Sequence, residues 1–194
     1  MAQKTKWIAP LAVVLIIVLI AVFWFVGQRN SLVTLEVNAD AAWSEVDNQL
    51  KRRSDLIPNL VATVQGFAGQ EQQVFGDIAD ARARLAGAQT VGETADSYNE
   101  LQGTLSLLLV IVENYPELRS NENFIRLQDE LAGTENRIAV ARGRYNDTVR
   151  QFNTKIRVFP TNIVANNLGM VEREYFEITE SDRAVPEVNF DSNN

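Results

Sequence analysis

The sequence predicts an all-α protein: an N-terminal transmembrane helix followed by an elongated antiparallel bundle of long helices. Three observations carry this reading. Residues 8–26, IAPLAVVLIIVLIAVFWFV, contain no charge. Beyond them an apolar ladder with a period of 3.5 residues runs from Leu32 to Leu85. The rest of the chain is punctuated by glycine and proline between stretches of helical apolar spacing, with no sustained alternation of the kind strands show.

The uncharged run spans about 28 Å as a helix, close to the roughly 30 Å hydrocarbon core of a bilayer. Trp7 and Trp24 sit near its two ends, where amphipathic rings favour the headgroup level, and Pro10 falls in the first turn, where its missing N–H costs little. A cleaved secretory signal would share the charged start at Lys4 and Lys6. The apolar run is longer than a usual signal core, however, and no small-residue cleavage site closes it. With no cysteine in the chain, a cleaved and lipidated lipoprotein is excluded. Lys4 and Lys6 precede the span and only Arg29 follows it closely. The positive-inside rule therefore favours a cytoplasmic N-terminus and an extracytoplasmic bundle.

One ladder series is Leu32, Ala39, Val46, Arg53, Leu60, Phe67, Val74 and Ala81. Its companion is Glu36, Trp43, Leu50, Ile57, Val64, Glu71, Ile78 and Leu85; all but Arg53, Glu36 and Glu71 are apolar. This coiled-coil spacing predicts one long helix packed along its length, about 80 Å as a rod. Pro58 interrupts it by removing an N–H and crowding the carbonyl four residues back. Because the heptad phase survives the proline, a kink is expected there, with Ser54 and Asp55 available to freed donors if the helix instead restarts. Gly87 and Gly92 mark the first turn. Asp96 is the expected cap of the next helix, whose stripe is Tyr98, Leu101, Leu105, Leu108 and Val112. Residues 106–112 read as a deeply buried segment, too short to span a membrane, and Pro116 stops the helix. Asn121 or Glu122 opens another helix, with Phe124, Leu127, Leu131, Ile138, Ala141, Tyr145, Val149, Phe152 and Ile156 on one side. Phe159-Pro160 ends it, and Thr161 and Asn162 are expected to cap a short helix ending near Gly169. The domain boundaries that follow are 1–7 (N-terminal segment), 8–26 (span), 27–31 (juxtamembrane connection), 32–170 (bundle) and 171–194 (acidic tail). Phe176, Ile178, Val188 and Phe190 of the tail are candidates to dock.

Composition excludes several chemistries. The chain carries a net charge of −7 and a pI near 4.7, which argues against nucleic acid as a main partner. It has no histidine and no cysteine, so no imidazole base, thiol nucleophile or thiolate metal site can form. Glu113, Asn114, Glu117 and Glu122 gather around one turn, where surface carboxylates are ordinary; no catalytic, cofactor or metal residue is assigned. In the cationic cluster Lys51, Arg52 and Arg53, only Arg53 occupies a ladder slot. A buried guanidinium must be paired, and Glu135 is the expected cross-helix partner, with Glu71 on the same seam as an alternative. Lys51 and Arg52 face away, with Asp47–Lys51 as an i,i+4 pair; phosphate or headgroup contact is the competing use of the cluster. Asn136 and Asn146 are read as cross-helix bonding groups.

Taken in order, LKRRSDLIPNLV, ENYPEL, TENRI and FPTNI resemble the LemA family over roughly residues 30–190. The resemblance implies a bacterial membrane protein with one span and a bundle of long helices, linked to membrane organisation or envelope stress. It implies that Trp43, Asp47, Lys51, Arg52, Arg53, Asp55, Pro58 and Asn59 belong to the family core, and it carries over no catalytic residue. Arg29 departs from the aromatic that often precedes the family's Asn-x-Leu-Val element. The expected function is a non-enzymatic membrane-anchored scaffold or adaptor, self-associating as a homo-oligomer or bound to another membrane protein, with no small-molecule substrate. A carboxylate-metal hydrolase and a sensory stalk are the alternatives, the first requiring acidic residues from separate helices to converge.

Overall fold

A computed structural model describes residues 8–178, and these are helical with no strand among them. Six helices follow in order: α1 (Ile8–Gln65), α2 (Gln72–Gly87), α3 (Val91–Val112), α4 (Pro116–Arg119), α5 (Glu122–Arg157) and α6 (Thr161–Asn167). The chain divides into two units. The first comprises Met1–Arg52 and Thr134–Tyr175, the second Arg53–Gly133 and Phe176–Asn194.

In the first unit, α1 begins as a wholly apolar helix and continues without interruption through residues 27–31. Every large apolar side chain from Leu11 to Val26 is exposed. This helix is long and apolar enough to cross a membrane. Past residue 31 the exposure changes to a single buried stripe: Leu32, Ala39, Val46 and Leu50 are all buried. Leu32 shares a core with Phe152 and Ile156 of α5 and Val164 and Ala165 of α6. Further along, Trp43 meets Tyr145, their ring centroids 5.1 Å apart. Numbers rise along α1 as they fall along α5, so the two pack antiparallel.

The segment after α6 is irregular and is tied down by polar bonds. Gly169 has a φ of 67°, and Met170 N–H donates back to the Ala165 carbonyl, closing α6 in the left-handed manner glycine tolerates. Asn153 then grips the extended chain from both sides. Its Nδ2 donates to the Arg173 carbonyl and its Oδ1 accepts from the Arg173 N–H, each at 2.9 Å. The Tyr145 hydroxyl donates to the Glu174 carbonyl at 2.8 Å.

The second unit is built on a larger apolar core. Ile57, Leu60 and Val64 of α1 join Phe75, Ile78 and Ala81 of α2, Leu101, Leu105, Leu108 and Val112 of α3, and Phe124 and Leu131 of α5. Phe176, from the tail, is fully buried and lies 6.4 Å from the Tyr98 ring. Ile178 is half-buried, whereas Val188 and Phe190 lie outside the described residues.

Several expectations are corrected here. The ladder from Leu32 to Leu85 is two helices, because α1 stops at Gln65 and the chain turns through residues 66–71. Phe67 and Ala68 N–H both return to the Val64 carbonyl, and a Cβ at Gly69 would press within 3.3 Å of the Gln65 carbonyl. Around the turn Ala68 and Phe75 are buried in place of the ladder's Phe67 and Val74, and the ladder resumes at Ile78 and Ala81, both buried. The α3 cap is Thr90, whose hydroxyl accepts from the Glu93 N–H while the Glu93 side chain accepts from the Thr90 N–H. That capping box places the cap six residues before Asp96, which lies inside the helix. Residues 106–112 are buried on one face only: Leu108 and Val112 are inside, while Leu107, Leu109 and Val110 are exposed. Asn121 does cap α5, its Oδ1 accepting from the N–H groups of Asn123 and Phe124.

Candidate functional site

The LKRRSDLIPN stretch falls in the C-terminal part of α1, across residues 50–59, and its side chains divide by direction. Arg53 is only 7% exposed. Its guanidinium donates to the Leu131 carbonyl at 3.2 Å and to Gln102 Oε1 at 2.5 Å, and it lies 5.8 Å from the centre of the Tyr98 ring. Within the second unit, then, a carbonyl, an amide and an aromatic face surround the charge. Charge-assisted bonds are the stronger kind, and the ring face favours a cation. Glu135, the partner expected from the sequence, lies half-buried in the first unit.

Lys51 and Arg52 point to solvent, as does Asp47. The expected Asp47–Lys51 pair does not form; two exposed ions gain too little to fix two flexible side chains. Asp55 is exposed and sits 4.0 Å from Arg82.

Pro58 is inside an unbroken α1, so the helix does not break and restart there. The proline lacks the N–H that would have bonded the Ser54 carbonyl. That carbonyl accepts instead from Arg82 Nε at 3.0 Å, and the Ser54 hydroxyl accepts from the same group at 3.1 Å. Arg82, on α2, thus replaces the missing donor. Only the general rule that a buried or crowded acceptor finds a partner hinted at it. Asn59 is exposed, and its carbonyl accepts from the Thr63 hydroxyl at 2.8 Å.

The remaining candidates lie in the first unit. Trp43 packs on Tyr145, whose burial pushes its pKa above the ordinary 10.0; nearby Arg173 works against that shift, while Glu174 and Asp40 add to it. Arg173 reaches α1 through Asp40 at 2.7 Å and Glu36 at 3.6 Å. Asn136 is exposed and Asn146 half-buried. Neither Thr161 nor Asn162 caps α6: the cap position is Pro160, with no side-chain cap bond. Thr161 is buried and donates to Gln28 Oε1 at 3.2 Å, so its hydroxyl is spent on α1 and not on its own helix. The Asn162 Oδ1 is buried.

Glu113, Glu117 and Glu122 are all exposed, and among the described residues no three carboxylates converge. The groups position backbone: Arg53 and Arg82 donate to carbonyls of neighbouring helices, and Asn153 and Tyr145 to carbonyls of the irregular segment after α6.

The profile of the LemA family matches residues 42–190. The chain is also 25% identical to Magnetosome protein MamQ 2 of Paramagnetospirillum magneticum, over 87% of this chain and 73% of that one. Protein LemA of Metamycoplasma hominis is 25% identical over 86% of this chain and 78% of its own length. Magnetosome protein MamQ of Magnetospirillum gryphiswaldense is 26% identical over 77% and 64%. Together with the apolar start of α1, these relatives fit a single-pass membrane protein.

Proposed function

Because the chain belongs to the LemA family, we propose that it is a membrane-anchored helical scaffold or adaptor that carries out no reaction of its own. The observation that carries this reading is the continuity of α1. The apolar stretch and the buried stripe of the first unit are parts of one helix, so the anchor and the bundle that α1 enters turn and tilt together. A tethered enzyme has no need of such rigidity, whereas a scaffold uses it to present one face in a defined direction. A chain without histidine or cysteine also lacks the usual neutral-pH bases and thiol nucleophiles. That relatives are named as magnetosome proteins, and not by a reaction, supports the same reading.

The anchor crosses a bacterial cell membrane or inner membrane with its N-terminus in the cytoplasm, following the Lys4 and Lys6 bias. Confinement to a plane raises the effective concentration of copies, so weak lateral contacts suffice for self-association. The exposed Lys51 and Arg52, on a protein of net charge −7, supply one such contact with the acidic surface of a neighbouring copy. The full-length chain reconstituted in vesicles should cluster, and Lys51→Glu with Arg52→Glu should disperse the clusters. Monomers across a wide range of surface densities would remove self-association and leave only the adaptor role.

A further inference from the structure

The end of the first unit beside the anchor is apolar where water would ordinarily lie. The uncharged run ends at Val26, and two residues on, Gln28 accepts the hydrogen bond from Thr161. Thr161 is the first residue of α6. One turn further along α1, Leu32 shares its core with Val164 and Ala165 of α6. These two contacts hold the α5–α6 corner at the level where α1 leaves its apolar stretch.

At that corner Phe159 is 79% exposed, Ile163 58% and Val158 45%. Scattered apolar residues on a surface need no explanation. Three within six positions, beside the end of a span, differ in having a lipid surface within reach. Phe159 and Ile163 are each two residues from Thr161, so their Cα atoms lie within about 8 Å of its Cα. Gln28 rises only about 3 Å beyond Val26 along the helix. Interfacial segments sink their apolar face about 5–10 Å into the headgroup–acyl boundary, and these side chains are long enough to do so. Trp24 and Phe25, at the end of the apolar run, are partly exposed at the same level. Arg29 and Lys155 bring cations to the same end of the unit, and cations favour anionic headgroups.

We propose that the Val158–Phe159–Ile163 corner is a second, interfacial lipid contact, with Phe159 and Ile163 entering the headgroup–acyl boundary of the bilayer that α1 crosses. This rests on the reading of α1 as a membrane anchor. A single helix can tilt and spin in a bilayer, and its interfacial anchors decide how it settles. Two points of attachment, one on α1 and one on the α5–α6 corner, restrict both motions and give the bundle a set orientation over the membrane.

The chain has no native cysteine, so single labels can be placed cleanly. The full-length protein would be prepared as Ile163→Cys, Leu19→Cys and Val140→Cys, each carrying an environment-sensitive fluorophore. Each would be reconstituted in vesicles whose lipids bear a quencher either near the headgroup or near the chain end. Leu19 reports the anchor and should be quenched more by the deep probe. Val140 is exposed on α5, about 28 Å along the helix from the corner, and should be quenched by neither. The Ile163 label should be quenched more by the shallow probe than by the deep one, and Phe159→Ser should weaken that quenching. An Ile163 label untouched by both probes, with Leu19 quenched, would overturn the lipid contact and leave the anchor intact. That holds whether the label is wet or covered by another protein or a second copy. Failure of the Leu19 label to be quenched would overturn the anchor and this proposal with it.

Discussion

The two units reach order by different routes. The second is held mainly by an apolar core drawn from five helices, α4 contributing Leu118, with the Arg53 charge set into the same unit. The first has a smaller apolar cluster around Leu32, Phe152 and Ile156, and adds an irregular segment, residues 170–175, fastened by Asn153, Tyr145 and Arg173. A helix satisfies its own backbone groups, so it can be held by apolar packing alone. An extended segment cannot, and its N–H and C=O groups need side-chain partners. The contrast teaches where polar residues are structural here: Arg53 is set into the core of the second unit, and the others appear where backbone bonding is interrupted, at the tail segment and at Pro58.

The largest effect expected from breaking this scheme is at Arg53. Arg53→Ala removes charge-assisted bonds to Leu131 and Gln102 and should destabilise the protein by about 2–4 kcal/mol. Chemical denaturation of the detergent-solubilised chain would measure it, and a cycle with Gln102→Ala should show positive coupling. The same cycle run against Glu135 measures the pairing that the sequence suggests. A cost below about 0.5 kcal/mol, the level of an ordinary surface change, would mean that the charge is solvated after all.

Asn153→Ala should come next. It strips both bonds from Arg173, leaving a donor and an acceptor without their partner, for about 1–3 kcal/mol. Faster proteolysis within residues 170–175 should accompany the loss, because the segment forms no helix or sheet bonds of its own and Asn153 holds its backbone at Arg173 from both sides. An unchanged cleavage rate would show that the Tyr145, Arg157 and Arg173 contacts retain the segment without Asn153.

A smaller effect, about 1 kcal/mol, is expected for Arg82→Ala, since the guanidinium is partly exposed and water can reach the freed Ser54 carbonyl. Pro58→Ala restores the N–H that the carbonyl lost. In that background Arg82→Ala should therefore cost less, and equal costs in the two backgrounds would contradict the substitution of one donor for the other.

The smallest change is set by pH. The Tyr145 pKa is raised in the folded protein, so folding favours its neutral form. That stabilisation is complete below about pH 10, the unfolded value, and is lost as the pH rises through the folded one. Tyr145→Phe should cost about 0.5–1.5 kcal/mol at neutral pH. Unfolding midpoints of the two proteins should converge as the medium is made more alkaline than the unfolded value; a constant gap would show that the hydroxyl does not titrate with folding.

Periodicity alone located the stripes. Leu32, Ala39, Val46, Leu50, Ile57, Leu60 and Val64 are all buried, as are Tyr98, Leu101, Leu105, Leu108 and Val112. On α5 the anticipated face is buried from Phe124 to Ile156, with only Leu127 partly exposed. A helix repeats its faces every few residues, so local spacing suffices to show them. The uncharged run at residues 8–26 was equally plain, because spanning depends on length and apolarity and not on a partner. The family likeness was legible for a different reason: short, unusual blocks recur in a set order.

Other features were decided by tertiary structure. The turn at residues 66–71 was hidden because a spacing of seven, once broken by a short loop, resumes with nearly the same phase. Arg53's bonds to Gln102 and Leu131, and Arg82's to Ser54, join positions 49, 78 and 28 residues apart. No local pattern links them, and several polar residues were equally eligible. Thr161 looked like a cap until its hydroxyl met Gln28, 133 residues away. One face of residues 107–110 is exposed because no helix of the second unit covers it, a matter of which neighbours arrive and not of hydrophobicity. Sequence specifies which face of a helix seeks burial; the assembled helices determine which polar groups meet there, since hydrogen bonds require a partner at a fixed distance and apolar contact does not.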